Sequence, residues 1–364
     1  MMRQETGEPD ERARLLRAFR SGQGPTDALA AECGAFLLRS WPKGLSLADI
    51  SRDELLGELL LSFPIFPVWL EKVMTQARRA LLFARPDDGL EPFAGRLAIQ
   101  CHLNEYAWAE DAAESERVED LAANLAALAA HEVMALACYR PLARLPGADA
   151  LLEKGWDGPV REVLREQIET VWEEQGIAAT LPTLTSIRGG VSEAVRSQYE
   201  ANPYPRWRRA GPGAPLTHVN GRRLPAAPEV LIAGCGTGRQ AVQSSLMIPG
   251  SRTLAVDLSR TSLAYAVRKT REQGLSRAIT FAQADLLELD GARRFDIVQS
   301  AGVLHHMDDP FEGARRVCAL AKPGGLVALG LYSARARANP GCAVAAVHQQ
   351  LLANLGSSGN SGDY

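Results

Sequence analysis

Along the first half of the chain, apolar positions recur at the three- and four-residue spacing that lines one face of a helix. The stretch SRDELLGELLLSF, Ser51 to Phe63, opens on a serine suited to an N-cap, with an acidic first turn, and Pro64 and Pro67 end it. A second helix is expected over Val68 to Ala84, with Leu70, Val73, Met74 and Ala77 on one face. Others are expected over Leu97 to Trp108, about Glu116 to Ala137, and Val160 to Gln175. No repeat recurs at a fixed period of about 20–50 residues. Residues 1–195 therefore read as an all-helical N-terminal domain. Residues 196–228 read as a linker or lid, because Pro203, Pro205, Pro212, Pro215, Pro225 and Pro228 crowd its second part. From 229 the period changes. Short apolar runs at 229–233, 252–256, 279–282, 295–299 and 326–331 alternate with helical stretches, the pattern of an α/β fold with a Rossmann-like parallel sheet over 229–364.

Composition narrows the function. A chain of 364 residues with 46% hydrophobic and 23% charged side chains can build two ordinary globular cores. The net charge of −3 and the short basic cluster Arg206, Arg208 and Arg209 argue against a nucleic-acid partner. Six scattered cysteines without a C-x-x-C pair suggest buried thiols in a reducing compartment and no metal site. The charged N-terminus lacks an apolar core segment, and no apolar run is long enough to span a bilayer, so a cytoplasmic protein without a membrane partner is expected. Trp41, Trp69, Trp108, Trp156 and Trp172 read as core anchors of the helical half, and His102 and His131 as ordinary helical histidines.

The first strand runs directly into Gly234-Cys235-Gly236-Thr237-Gly238. A glycine-rich strand-to-helix turn lets a ligand approach the backbone and is expected to aim free N–H groups at it. A dinucleotide fingerprint would need glycine where Arg239 stands. Asp257 closes the second strand, where an acid can bond ribose hydroxyls. Asp285 closes the third in the run Ala284-Asp285-Leu286, the fourth opens into Ser300-Ala301-Gly302-Val303-Leu304-His305-His306, and Lys322-Pro323-Gly324-Gly325 turns into the fifth.

Taken in order, the G-x-G-x-G turn, the two acids, the V-L-H-H run and the K-P-G-G turn resemble the class I S-adenosylmethionine-dependent methyltransferases over about 105 residues. The resemblance implies S-adenosylmethionine as cofactor, held by Gly234, Cys235, Gly236, Gly238, Asp257, Leu258, Asp285, Leu286, Ser300 and Ala301, with Asp285 on the adenine amino group. The run from Gln198 to Trp207 resembles the "YEENPYPRW" segment of a bacterial methyltransferase group often fused to tetratricopeptide repeats. That second resemblance implies a lid, with Tyr204 and Trp207 as substrate contacts, and the alternative reading is a linker pinned by aromatic packing. Two departures stand out. Ile232 occupies a position where many members carry an acid, and the fifth strand ends near Tyr332 with 32 residues to follow, from Ser333. These hold one expected helix, Ala343 to Leu355, and a low-complexity ending, so the C-terminal strands are expected to be incomplete.

Methyl transfer from a sulfonium leaves the protein to position the partners and exclude water. His305 and His306 are the candidate bases for a small-molecule or protein acceptor that must lose a proton. A nicotinamide-dependent oxidoreductase is disfavoured by Arg239 and the Pro323-Gly324-Gly325 turn. The other alternative is a non-catalytic cofactor-binding or protein-interaction module, with the helical half as the surface for a protein partner.

Overall fold

The computed structural model describes residues 8–331, except 22–26, 43, 63, 65–66, 85–88, 188–189, 212–213 and 220. The helical region comprises Glu8–Arg20, Asp27–Ser40, Leu47–Ser51, Glu54–Leu60, Val68–Leu82, Glu91–Leu103 (α1), Ala112–Ala122, Ala130–Ala137, Gly158–Leu164, Thr170–Thr180 (α2) and Gly190–Ala201 (α3). Its core is aliphatic, with Leu37, Leu55, Leu56, Leu70, Leu97 and Met134 sealed from solvent.

Capping explains where sequence periodicity misled. Ser51 ends a helix instead of starting one. Ser46 caps Leu47–Ser51 in a reciprocal pair with Asp49, and Asp53 accepts the Leu56 N–H to start the next helix. The single helix expected over 116–137 is two. Asp111 and Glu114 box the start of Ala112–Ala122, and Glu132 takes the Ala129 N–H to open Ala130–Ala137. Leu125 and Leu128, in the connection, are both buried and so mimicked a continuous apolar face. The third expected helix starts six residues early, at Glu91, and stops at Leu103. The last runs on to Thr180 through a π-helical turn, Arg165–Glu169.

Five parallel strands follow: Glu229–Ala233 (β1), Arg252–Asp257 (β2), Ile279–Gln283 (β3), Phe295–Ala301 (β4) and Ala321–Gly330 (β5), ordered β3-β2-β1-β4-β5. Val230, Leu231, Ile232 and Ala233 are all fully buried, as a central parallel strand covered on both faces requires. Val230 and Ile232 face one core with the helices Arg239–Met247 (α4) and Arg260–Glu272 (α5). Leu231 and Ala233 face the other, with Val317 of the helix Pro310–Ala319 (α6). The strand order reverses between β1 and β4, which opens a crevice at their carboxyl ends. β5 begins at Ala321, earlier than expected. Phe295 pairs with Ala321 and Ile297 with Leu326, so Lys322–Gly325 bulge within the strand.

The helical region does not merely precede the sheet. Ile177 and Leu181 lie in the α4–α5 core. Thr183 forms a parallel bridge to Gln283, with Gln283 N donating to Pro182 O and Leu184 N to Gln283 O, both at 2.8 Å. Among the described residues the sheet has five strands. Residues 332–364, with Cys342 and the helix expected over Ala343 to Leu355, lie outside the described residues.

Candidate functional site

The glycine-rich turn leaves β1 at the reversal of strand order and enters α4. Gly238 has φ +82°, and a Cβ there would stand 2.4 Å from the Ala266 Cβ, so α5 packs directly on the turn. Gly236 has φ +50°, and a Cβ on it would meet nothing within 4 Å, which leaves an open face. Four of the five N–H groups of the turn are spent within the protein. Gly234 N and Cys235 N both donate to Val256 O at 2.9 Å, Gly238 N to Cys235 O at 2.9 Å, and Gly236 N to Asp257 Oδ2 at 2.7 Å. The turn is a shaped wall with these donors already satisfied, not a nest for an anion.

Asp257 closes β2 half-buried. Its Oδ1 takes the Ser259 N–H at 2.9 Å while Oδ2 takes that of Gly236. Burial pushes its carboxyl above the usual range, and the backbone N–H groups of Ser259, Gly236 and Leu258 oppose that shift. Asp285 is 2% exposed; its Oδ1 accepts from Leu287 N at 3.0 Å. Asp285 Oδ2 and the hydroxyl of buried Ser300 have no hydrogen-bond partner among the described residues. Leu258 is half-buried beside Asp257, and its carbonyl accepts from Gln283 Nε2 at 2.9 Å. Leu286 and Cys235 are buried, Leu286 in the α6-side core, and burial pushes the Cys235 thiol up. Ala301 is exposed at the end of β4. His305 and His306 follow on a short 3-10 turn, half-buried, with ring centroids 4.2 Å apart.

Of the two readings of the 198–207 segment, the contacts of Trp207 are those of a linker pinned by aromatic packing. Trp207 has no accessible surface, so as it stands it cannot touch a substrate. Its indole N–H donates to Thr237 O at 2.9 Å, and Thr237 Oγ1 donates to Pro205 O at 2.6 Å. The Tyr265 hydroxyl accepts the Trp207 N–H at 3.0 Å and donates to the Trp207 carbonyl at 2.5 Å. Tyr204, three residues earlier, remains half-buried. Glu200 caps α5. Its Oε1 takes Arg260 N at 2.8 Å, and its Oε2 takes Thr261 N at 3.0 Å and Thr261 Oγ1 at 2.5 Å.

Sequence reasoning missed Glu200, Thr237 and Arg260 as organising residues. Glu200 lay inside the quoted Gln198–Trp207 run and Thr237 inside the glycine turn, so both were visible without a role. Arg260 carries no motif. It binds Ala178 O and Leu181 O at 2.8 Å and Thr183 Oγ1 at 3.0 Å, tying the end of α2 to the start of α5. Thr185 was likewise missed; its Oγ1 accepts from Asp285 N at 2.8 Å. Among the described residues no cluster suits a metal ion, and no helix is long and apolar enough to cross a membrane.

Residues 230–325 match the family described as a methyltransferase domain. An uncharacterized protein from a Synechococcus strain is 30% identical over 163 residues, 41% of this chain and 39% of its own length. The ubiquinone biosynthesis O-methyltransferase of Azotobacter vinelandii is 28% identical over 145 residues, 38% of this chain and 62% of its own. The chain thus spans less than two thirds of either relative. Among solved structures, an S-adenosylmethionine-dependent methyltransferase from Clostridium acetobutylicum is similar, at 28% identity and a TM-score of 0.26, covering 29% of this chain and 43% of its own.

Proposed function

We propose that this chain is a class I S-adenosylmethionine-dependent methyltransferase acting on a small-molecule or protein acceptor. The observation that carries the reading is the convergence of Gly236, Asp257 and Asp285 at the carboxyl ends of three adjacent strands, with a buried Asp285 oxygen still short of a donor. That unmet acceptor fits an adenine amino group. The two Asp257 oxygens each take one backbone N–H and keep a lone pair for a ribose hydroxyl. The open face of Gly236 leaves room for the cofactor. A nicotinamide dinucleotide fits less well, because its pyrophosphate calls for backbone N–H groups that this turn spends internally.

When bound, the cofactor supplies a methyl group activated on a sulfonium. The chain's own residues then bind, orient and exclude water. Trp207 and Pro205 fix Thr237 and with it the shape of the turn. His305 and His306 are the groups suited to take a proton from an acceptor that must lose one, and Tyr204 is suited to contact that acceptor. Within the class, the segment from Gln198 to Trp207 supports membership of the "NPYPRW" group, and the buried free thiols Cys33, Cys101, Cys138 and Cys235 support a reducing cytoplasm.

Calorimetric titration of the whole chain with S-adenosylhomocysteine tests the reading, alongside Asp257→Ala. Micromolar binding that the substitution abolishes is the expected result. A folded protein that binds nothing overturns it.

A further inference from the structure

Residues 182–185, upstream of the strands, run beside β3 and end at Asp285. Gln283 N donates to Pro182 O and Leu184 N to Gln283 O, both at 2.8 Å, the two bonds of a parallel bridge between Thr183 and Gln283. Continued by one step, that ladder would send Asp285 N to Leu184 O. Asp285 N instead donates to the Thr185 hydroxyl at 2.8 Å. A side chain takes the place of a backbone carbonyl there, and the bridge stays isolated. The edge is braced by a relay of side chains. Arg260 Nη1 donates to Thr183 Oγ1 at 3.0 Å, Thr183 Oγ1 to Gln283 Oε1 at 3.2 Å, and Gln283 Nε2 to Leu258 O at 2.9 Å. The relay links the residue after Asp257 to the strand that leads into Asp285.

Asp285 is therefore held from several sides. Thr185 takes its N–H, the Ala284 N–H before it goes to Asp257 O at 3.0 Å, and its Oδ1 takes Leu287 N at 3.0 Å. Oδ2 is left over. It is buried and has no hydrogen-bond partner among the described residues, so the Thr185 hydroxyl does not donate to it. A buried acceptor left unmet is costly. An acid fixed everywhere except at one oxygen leaves that oxygen to a donor on a ligand. Valine at 185 would keep the shape of the side chain and leave the Asp285 N–H without its acceptor. The backbone that aims Oδ2 would then shift or take in water.

We propose that Thr185 is a positioning residue that sets base specificity: its hydroxyl, by taking the Asp285 N–H, aims Oδ2 at the amino group of a 6-aminopurine. The inference rests on the cofactor reading above and extends it to a residue outside the matched span of 230–325. Calorimetry on the whole chain compares S-adenosylhomocysteine with its 6-deamino analogue, which carries hydrogen in place of the amino group. The wild-type chain should prefer S-adenosylhomocysteine by about tenfold, the worth of one good bond to a buried acceptor. In Thr185→Val, S-adenosylhomocysteine should bind about fivefold more weakly and the analogue almost unchanged, so the preference falls to about twofold. Thr185→Ser keeps the hydroxyl and should keep the preference. Thr185→Ala serves if circular dichroism shows that the valine variant does not fold. The proposal is overturned if a folded valine or alanine variant keeps the wild-type preference, or weakens both ligands alike, as a merely structural contact would. It is also overturned if the serine variant loses the preference as far as valine does. A wild-type chain that binds both ligands equally overturns it while leaving the cofactor site in place; one that binds neither overturns the cofactor reading as well.

Discussion

Replacing Trp207 by Phe tests whether the 198–207 segment shapes the glycine-rich turn or only packs behind it. The substitution keeps an aromatic ring in a slot with no accessible surface but removes the indole donor to Thr237 O at 2.9 Å. The lost bond is worth about 1 kcal/mol net. The missing ring atoms add about 1–2 kcal/mol of lost burial. Global stability should therefore fall by about 2–3 kcal/mol, read from denaturant unfolding. Only the hydrogen-bond share bears on the turn, so the dissociation constant for S-adenosylhomocysteine should rise about fivefold. Thr237→Val, which deletes the 2.6 Å bond to Pro205 O, should weaken binding by about the same factor. Because both bonds restrain one residue, the double variant should fall well short of the product of the two effects. Stability lowered by the expected amount with affinity unchanged within about twofold in all three variants would refute the reasoning and reduce the segment to packing.

Other consequences can be measured directly. Gly238→Ala places a Cβ 2.4 Å from Ala266 at φ +82° and should cost about 3 kcal/mol in denaturant unfolding, combining left-handed strain with overpacking. Burial holds the His102 imidazole well below its ordinary range, so the folded chain keeps it neutral while the unfolded chain takes a proton below about pH 6.5. Its contribution to stability is therefore fully present above that pH and falls by up to about 1.4 kcal/mol per unit as pH drops; His102→Gln should flatten the stability–pH curve between about pH 6.5 and 5.5. Asp285→Asn should weaken S-adenosylhomocysteine binding by about tenfold in calorimetry, since an amide turned the wrong way offers a donor where an acceptor is needed, and should leave the far-ultraviolet circular dichroism unchanged.

The α/β half was legible because its signals are local. Each strand is a short apolar run, each site acid closes one, and parallel pairing follows from the helices between them. The helical half was harder because periodicity and capping disagree there. Leu125 and Leu128 keep the apolar period through a break that ends where Glu132 takes the Ala129 N–H and starts a new helix. The glycine turn shows a different limit. Its residues were legible, but where their N–H groups go depends on Val256 O and Asp257, partners on another strand. Trp207 shows the same limit, because burial is decided by α5 and Tyr265, 58 residues away.

Arg206 and Arg268 also bear on how this protein can be divided. Arg206 pairs with Glu105 at 2.5 Å, and Arg268 of α5 pairs with Glu174 of α2 at 2.7 Å, with Arg206, Arg268 and Glu174 buried and Glu105 half-buried. Ile177 and Leu181 sit in the same core as Val230 and Ile232. A proteolytic cut between residues 182 and 187, which are mostly exposed, would leave the fragments associated, since separating them strands charges in an apolar interior. A gene fusion that carried the sheet alone into another protein would leave behind part of its hydrophobic core and the partner of Arg268. In this chain the packed unit that holds the sheet thus reaches back at least to α2.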